Sequence, residues 1–158
     1  MIMNKLKTWG EMTAIRAELA EQAKTVVFTN GCFDILHRGH VQYLHSAREL
    51  GDVLIIGLNN DDSVKRLKGS NRPVNREIDR AIVLSALADI DYVVIFTEDT
   101  PYNLIKTLKP DILVKGGDWE IDQIVGSEIV IANGGKVLSL HYYQGYSTTG
   151  IIERMDKE

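Results

Sequence analysis

Residues 29–40 have the sequence TNGCFDILHRGH and lie between an apolar run at 25–28 and an amphipathic run at 41–50. This order predicts a buried strand, a glycine turn and the start of a helix. A helix start presents unpaired N–H groups and the positive end of its dipole, and glycines such as Gly31 and Gly39 let the backbone approach an anion closely. His37 and His40 add two side-chain donors. The stretch therefore predicts a phosphate-binding turn.

The composition restricts the class of protein. The chain has 158 residues, 44% of them hydrophobic and 25% charged, which is enough for one domain with its own core. A formal net charge of -4 and scattered Lys and Arg residues argue against a nucleic-acid partner. Cys32 is the only cysteine, which excludes an internal disulfide. Residues 1–11 lack a signal-peptide core, and no apolar stretch could span a membrane. We therefore expect a cytoplasmic protein without a membrane partner.

Alternating strand and helix patterns predict an α/β protein. Residues 8–11 have the spacing of a capping box and begin a leading helix within 1–24. Strands are predicted at 25–29, 52–58, 91–96, 112–114 and 136–140. Helices are predicted at 41–50, 61–67, 77–88, 101–109, 126–132 and 150–155. The whole chain, 1–158, should form a single Rossmann-like domain with a catalytic core at 25–156, in which helices cover both faces of a five-stranded parallel sheet.

Ligands in such folds bind beyond the C-terminal ends of the strands. The turn at 29–40, the segment at 115–118 and the segment at 147–149 all follow strands, so we expect them to meet at one edge of the sheet. Other phosphate motifs fail, because no Gly-x-Gly-x-x-Gly follows the first strand and the residues around Gly135 and Lys136 do not form a P-loop. Dehydrogenase and P-loop interpretations are therefore weak.

Two stretches resemble the signatures of the nucleotidyltransferase superfamily that contains the cytidylyltransferases, namely 29–40 and 146–152 (YSTTGII). Two more, 66–75 (RLKGSNRPVN) and 114–118 (VKGGD), resemble the D-glycero-D-manno-heptose 1-phosphate adenylyltransferases, which make ADP-heptose for lipopolysaccharide. The resemblance implies the nucleotidyltransferase fold and transfer of AMP from ATP to the sugar phosphate. Larger members are fused to a sugar kinase, for which this chain has no room, so the expected form is the stand-alone enzyme.

The implied reaction explains the residue types. An ionised phosphate oxygen attacks the α-phosphorus of ATP and pyrophosphate leaves, so the enzyme needs no general base but must position anions and stabilise charge. We assign catalytic roles to His37 and His40, and by resemblance to Lys68. Asp34 and Arg80 are candidates for substrate binding, although Asp34 could instead hold the turn and Arg80 could lie on the surface. Mg²⁺ should accompany ATP, held by its phosphates and by water without protein ligands.

The remaining candidates are expected to bind the nucleotide, through backbone groups, hydroxyls and the N–H groups of the last helix. They are Asn30, Gly31, Cys32, Phe33, Gly39, Lys115, Gly116, Gly117, Asp118, Ser147, Thr148 and Thr149.

Several alternatives stay open. Residues 147–149 could form only a helix cap, Trp119 could stack on adenine or cover the core, and the loop 68–73 could be mobile and close over a ligand. A metal triad of Asp34, His37 and His40 is disfavoured because Gly39 interrupts the helix. The rival function is a CTP-dependent cytidylyltransferase acting on glycerol 3-phosphate or a similar alcohol phosphate. A non-catalytic nucleotide-binding module is a third possibility, and the leading helix could serve a homodimer.

Overall fold

A parallel β-sheet forms the centre of the protein in the computed structural model, which describes residues 2–157. The strands are β1 (Leu6–Lys7), β2 (Val26–Gly31), β3 (Val53–Asn59), β4 (Tyr92–Phe96), β5 (Ile112–Gly116) and β6 (Lys136–Leu140). The helices are α1 (Trp9–Glu21), α2 (Arg38–Arg48), α3 (Asp61–Lys68), α4 (Glu77–Ser85), α5 (Tyr102–Leu108), α6 (Ser127–Ala132) and α7 (Thr148–Met155), with short 3-10 turns at Ile2–Lys5 and Ile121–Gln123. The predicted α/β class is confirmed.

The order of strands in the sheet is β1-β4-β3-β2-β5-β6, and every pairing is parallel. The prediction of five strands was wrong by one, because β1 adds a sixth beside β4, with Leu6 opposite Val93 and Lys7 opposite Val94. A strand of two residues is too short to show an alternating pattern, and its partner lies more than 80 residues further along the chain. Only the tertiary fold could reveal it.

The core consists of two layers, one on each face of the sheet. Alternate residues of β2 point to opposite faces: Val26 and Phe28 join the cluster under α1, α5 and α6, whereas Val27 joins the cluster under α2 and α4. All seven residues of β3 are buried, as expected for a central strand covered on both sides. Within residues 2–157, no helix is both long enough and apolar enough to cross a membrane.

Two boundaries near the predicted site differ from the prediction. Helix α2 begins at Arg38 rather than at residue 41, and α7 begins at Thr148 rather than at residue 150. In both places the residue before the helix, His37 or Ser147, caps it with its side chain. The signature residues therefore form the first turns of their helices, where the backbone N–H groups are unpaired.

Candidate active site

A cavity of about 470 Å³ lies at the C-terminal edge of the sheet, where β2, β3 and β5 end. It joins the turn after β2 to the end of α3, the end of β5 and the start of α7. The predicted residues that line it are Asn30, Gly31, Cys32, Phe33, Asp34, His40, Lys68, Lys115, Gly116, Thr148 and Thr149. Those outside the lining are His37, Gly39, Arg80, Gly117, Asp118 and Ser147.

His37 and His40 cap helix α2 reciprocally. Nδ1 of His37 accepts from the backbone N–H of His40, and Nδ1 of His40 accepts from the N–H of His37, both at 3.4 Å. The two rings stack with centroids 3.8 Å apart. Since each Nδ1 is an acceptor, the proton of each neutral ring lies on Nε2. His40, which lines the cavity, therefore carries an Nε2–H donor.

Both histidines are held in the neutral form. Burial lowers the pKa of His40 to about 4, with a smaller contribution from His37. Burial also lowers the pKa of His37. At neutral pH each ring is thus a hydrogen-bond donor without a full charge, which suits stabilisation of charge that develops on a phosphoryl group.

Two glycines of the turn lie close to aromatic side chains. A Cβ on Gly31 would lie 2.8 Å from the ring of Phe33, and one on Gly39 would lie 3.0 Å from the ring of His37 and from Cβ of Tyr146. Gly39 thus lets the first turn of α2 pack against both aromatic groups. Cys32 between them is partly exposed, and burial raises the pKa of its thiol, so it stays protonated.

Asp34 holds the loop between α3 and α4. Its fully buried carboxylate accepts from Nε of Arg72 at 2.7 Å and from the backbone N–H groups of Val74 and Asn75 at 2.8 to 2.9 Å. Burial alone would raise the pKa of Asp34, but the hydrogen bonds from Asn75 and Val74 and the Arg72 guanidinium outweigh burial and lower it. The carboxylate is therefore ionised and holds the turn, as one of the two predictions for it proposed.

Arg80 lies behind the cavity wall and has no exposed side-chain surface. Its guanidinium donates to the carbonyl oxygens of Asn75, Cys32 and Asn59 at 2.6 to 2.9 Å and to the Asp61 carboxylate at 2.9 Å. The surface position considered for Arg80 is wrong. Its substrate contact stays a prediction, but the partners in the structure are all protein groups, and they join the ends of β2 and β3.

Lys68 and Lys115 bring positive charge to the cavity from opposite sides. Burial, and to a lesser extent Lys68, lowers the pKa of Lys115. The ammonium of Lys115 lies 5.4 Å from the ring centroid of Trp119, whose Nε1–H donates to the Gly116 oxygen at 3.0 Å. Asp118 is exposed and pairs with His141 at 3.6 Å. Within the predicted 115–118 segment, only the first two residues reach the cavity.

The segment before α7 contacts α2 through Tyr146, whose ring stacks on His37 with centroids 6.3 Å apart and whose hydroxyl accepts from Arg38 at 3.4 Å. Oγ of Ser147 accepts from the N–H of Gly150 at 2.9 Å, so Ser147 is the helix cap. Oγ1 of Thr148 donates to the Ile35 oxygen at 2.9 Å, which joins α7 to the turn after β2. Thr148 and Thr149 line the cavity beside the first turn of α7.

Several lining residues were not predicted from the sequence. The polar and aromatic ones are Tyr43, Asn59, Arg72, Asp99, Thr100 and Tyr142. Two carried a usable signal: Tyr43 lies three residues after His40, on the same face of α2, and Asn59 ends β3 at the ligand-binding edge. Residues 2–157 contain no group of three or more His, Cys, Asp or Glu side chains arranged to hold a metal ion.

The cytidylyltransferase-like family model matches residues 28–154. "Bifunctional protein HldE" of a Nitratiruptor species is 56% identical over 150 residues, which cover 95% of this chain and 32% of that protein. The protein of the same name from Campylobacter concisus is 57% identical over 152 residues, which cover 96% of this chain and 31% of that protein. The chain thus spans about a third of the length of these curated relatives.

Solved structures share the fold. The lipopolysaccharide core biosynthesis protein from Thermoplasma volcanium has a TM-score of 0.62 and 29% identity, over 78% of this chain and 99% of that one. Pantothenate synthetase from Thermus thermophilus has a TM-score of 0.63 at 15% identity, over 97% of this chain and 70% of that one. The second similarity concerns the fold alone.

Proposed function

The chain belongs to the cytidylyltransferase-like family, and we propose that it transfers AMP from ATP to D-glycero-D-manno-heptose 1-phosphate, giving ADP-heptose and pyrophosphate. The observation that carries this proposal is the convergence in one cavity of a neutral histidine donor, His40, with the cations Lys68 and Lys115. Similarity to the HldE proteins and to a lipopolysaccharide core biosynthesis protein supports a sugar phosphate from surface-glycan synthesis as the acceptor.

The reaction requires charge stabilisation rather than proton abstraction. An oxygen of the sugar phosphate attacks the α-phosphorus of ATP, the bond from that phosphorus to the bridging oxygen breaks, and pyrophosphate leaves with the electron pair. Because the attacking oxygen is already ionised, no side chain must remove a proton. His40 would donate its Nε2–H to the α-phosphoryl oxygens, and His37 would support that ring by capping and stacking.

The charges of the cavity suit two polyanionic substrates. The carboxylates in its lining are Asp34 and Asp99, and each is paired with an arginine, Arg72 at 2.7 Å and Arg66 at 2.6 Å. Lys68 and Lys115 therefore add positive charge that these carboxylates do not cancel. Mg²⁺ would enter with ATP, held by the triphosphate and water because both carboxylates are engaged, and it would reduce the charge on the phosphates.

Helix α7 would bind the β- and γ-phosphates. Its first residues, Thr148 and Thr149, line the cavity with hydroxyl groups, and among residues 2–157 the N–H groups of its first turn have no partner apart from the Ser147 cap. A cytoplasmic location and assembly as a homodimer are consistent with this proposal. Both stay predictions.

The test is pyrophosphate release by the full chain, with ATP or CTP and with heptose 1-phosphate, as its α or β anomer, or glycerol 3-phosphate. We expect release from ATP with one heptose 1-phosphate anomer. Turnover only with CTP and glycerol 3-phosphate would replace the proposal by the cytidylyltransferase alternative. ATP binding without turnover of any pair would point to the non-catalytic nucleotide-binding module.

A further inference from the structure

Arg72 is a cation of the cavity that the proposed mechanism has not used. It comes from the loop between α3 and α4, lines the cavity, and its side chain is only 14% exposed. Nε donates to the Asp34 carboxylate at 2.7 Å. Its two terminal nitrogens make no hydrogen bond to any residue in the described range 2–157. One edge of the guanidinium is thus fixed, and the other retains N–H donors for a ligand.

The loop that carries Arg72 is anchored. The Asp34 carboxylate also accepts from the backbone N–H groups of Val74 and Asn75, and the side-chain amide of Asn75 donates to the backbone oxygen of Asp34 at 2.8 Å. Arg80 then binds the Asn75 oxygen at 2.9 Å. These bonds hold Arg72 in place before any ligand arrives, so the loop is better described as a fixed wall than as the mobile lid considered from the sequence.

The sheet order separates two halves of the cavity. The histidine turn follows β2, near the middle of the sheet. Lys115 lies near the end of β5, and α7 follows β6, on one side of that turn; Arg72 and Lys68 follow β3, on the other side. If the transferring phosphoryl group lies at the histidine turn and the triphosphate extends to α7, the attacking phosphate must approach from the β3 side.

We propose that Arg72 binds the phosphate group of the acceptor and that Asp34 acts as a positioning residue for it. This inference rests on the proposed function. A planar guanidinium presents paired donors that match two phosphate oxygens, and Lys68 on the same side supplies a second charge. Arg72 therefore selects acceptors with a free phosphate monoester, and Asp34 acts on the acceptor by holding Arg72 and its loop.

The test compares Arg72→Gln with Arg76→Gln. Arg76 is an exposed arginine four residues away that lies outside the cavity lining and makes no side-chain capping bond. With ATP saturating, Arg72→Gln should raise KM for heptose 1-phosphate about 10- to 100-fold, because a charge-assisted hydrogen-bonded pair is lost. KM for ATP should change less than about threefold, because Arg72 is proposed to bind the acceptor and not ATP. Arg76→Gln should match the wild type in both.

Asp34→Asn tests the positioning role. It should raise KM for the acceptor and leave KM for ATP unchanged, and in the double variant with Arg72→Gln it should add little to the effect of Arg72→Gln alone. Arg72→Lys keeps the charge but loses the paired donors of the guanidinium, so its KM for the acceptor should lie between those of the wild type and Arg72→Gln. If Asp34→Asn only impaired folding, it would instead weaken the binding of both ATP and the acceptor. Its effect on KM would then add in full to that of Arg72→Gln in the double variant.

Binding of heptose 1-phosphate in the presence of a non-hydrolysable ATP analogue, measured by calorimetry, separates this inference from the proposed function. A wild-type protein that turns over no acceptor but loses phosphate-monoester binding on Arg72→Gln would overturn the function and support the inference. Equal acceptor binding by the wild type and Arg72→Gln, or an equal loss of ATP and acceptor binding, would overturn the inference whatever the turnover.

Discussion

The turns that follow β2 and β6 beside the cavity differ in how they are held. The turn after β2 is fixed by the reciprocal histidine cap, by the Asp34 anchor and by Arg80, which binds the Cys32 oxygen. The segment after β6, residues 141–147, is exposed throughout, and its helix α7 has no buried residue. Both carry phosphate-type motifs. Two turns with the same type of motif therefore differ in their bracing: the fully buried side chains of Asp34 and Arg80 brace the first, whereas partly or fully exposed residues hold the second.

The largest effect is expected when the brace of the first turn is removed. Arg80→Leu would leave the carbonyl oxygens of Cys32 and Asn59 and the Asp61 carboxylate without their donor. We expect the free energy of unfolding to fall by about 3 to 5 kcal/mol, as when one partner of a buried ion pair is removed. Urea unfolding, with Arg76→Leu as the control, measures this. A fall below about 1 kcal/mol with lost activity would instead favour the substrate-binding role.

The second test removes the histidine donor of the first turn and leaves the Asp34 and Arg80 contacts in place. His40→Ala should lower the maximal rate of pyrophosphate release by about 10²- to 10³-fold, because one donor to the developing charge is lost. His45→Ala on the same helix is the control, since that ring is exposed and pairs with Asp89 and Glu49. Activity within about threefold of the wild type would mean that His40 does not contact the transferring phosphoryl group.

The neutral state of His40 predicts a pH dependence of stability. Its pKa in the folded protein is about 4, below the usual value of 6.5, so the unfolded chain binds more protons as the pH falls. This group should therefore cost the wild type about 1.5 kcal/mol of stability between pH 6.5 and pH 5. His40→Gln lacks this dependence, and urea unfolding of both proteins at the two pH values measures the difference. An equal fall in the free energy of unfolding of both proteins would contradict the lowered pKa of His40.

The smallest effect concerns the link between the two turns. Thr148→Val removes the hydrogen bond to the Ile35 oxygen and should cost about 1 kcal/mol. Hydrogen exchange of the α7 amides should become about fivefold faster, and that of β2 should not change. Thr107→Val is the control, because its hydroxyl makes a similar bond to the Asn103 oxygen on the exposed face of α5. Faster exchange in both turns would show that they are coupled.

The sequence predicted those parts of the site that depend on local chemistry. Histidines at a helix start, glycines in a turn and Thr148 at the last helix are recognisable because their roles depend on neighbours within a few residues. The strands other than β1 were predicted for the same reason, since each is a continuous apolar run.

The parts that sequence reasoning missed depend on distant partners. Arg72 meets Asp34 across 38 residues of chain, and Arg80 meets the Cys32 oxygen across 48. Neither separation leaves a periodic signal, so Arg80 could be interpreted as a surface residue and Arg72 as part of a solvated loop. A motif of one or two residues, such as β1, is below the length at which alternation can be detected.

Trp119 is placed to serve as an intrinsic fluorescent probe of the cavity. The chain contains two tryptophans, and Trp9 donates its indole N–H to the Ile95 oxygen at the β1 side of the sheet, away from the cavity. Trp119 is 44% exposed and lies against Lys115 and Gly116, both of which line the cavity. Intrinsic fluorescence should therefore have a constant contribution from Trp9 and a contribution from Trp119 that changes when a ligand binds beside Lys115. Nucleotide binding could then be titrated without a label or a coupled assay.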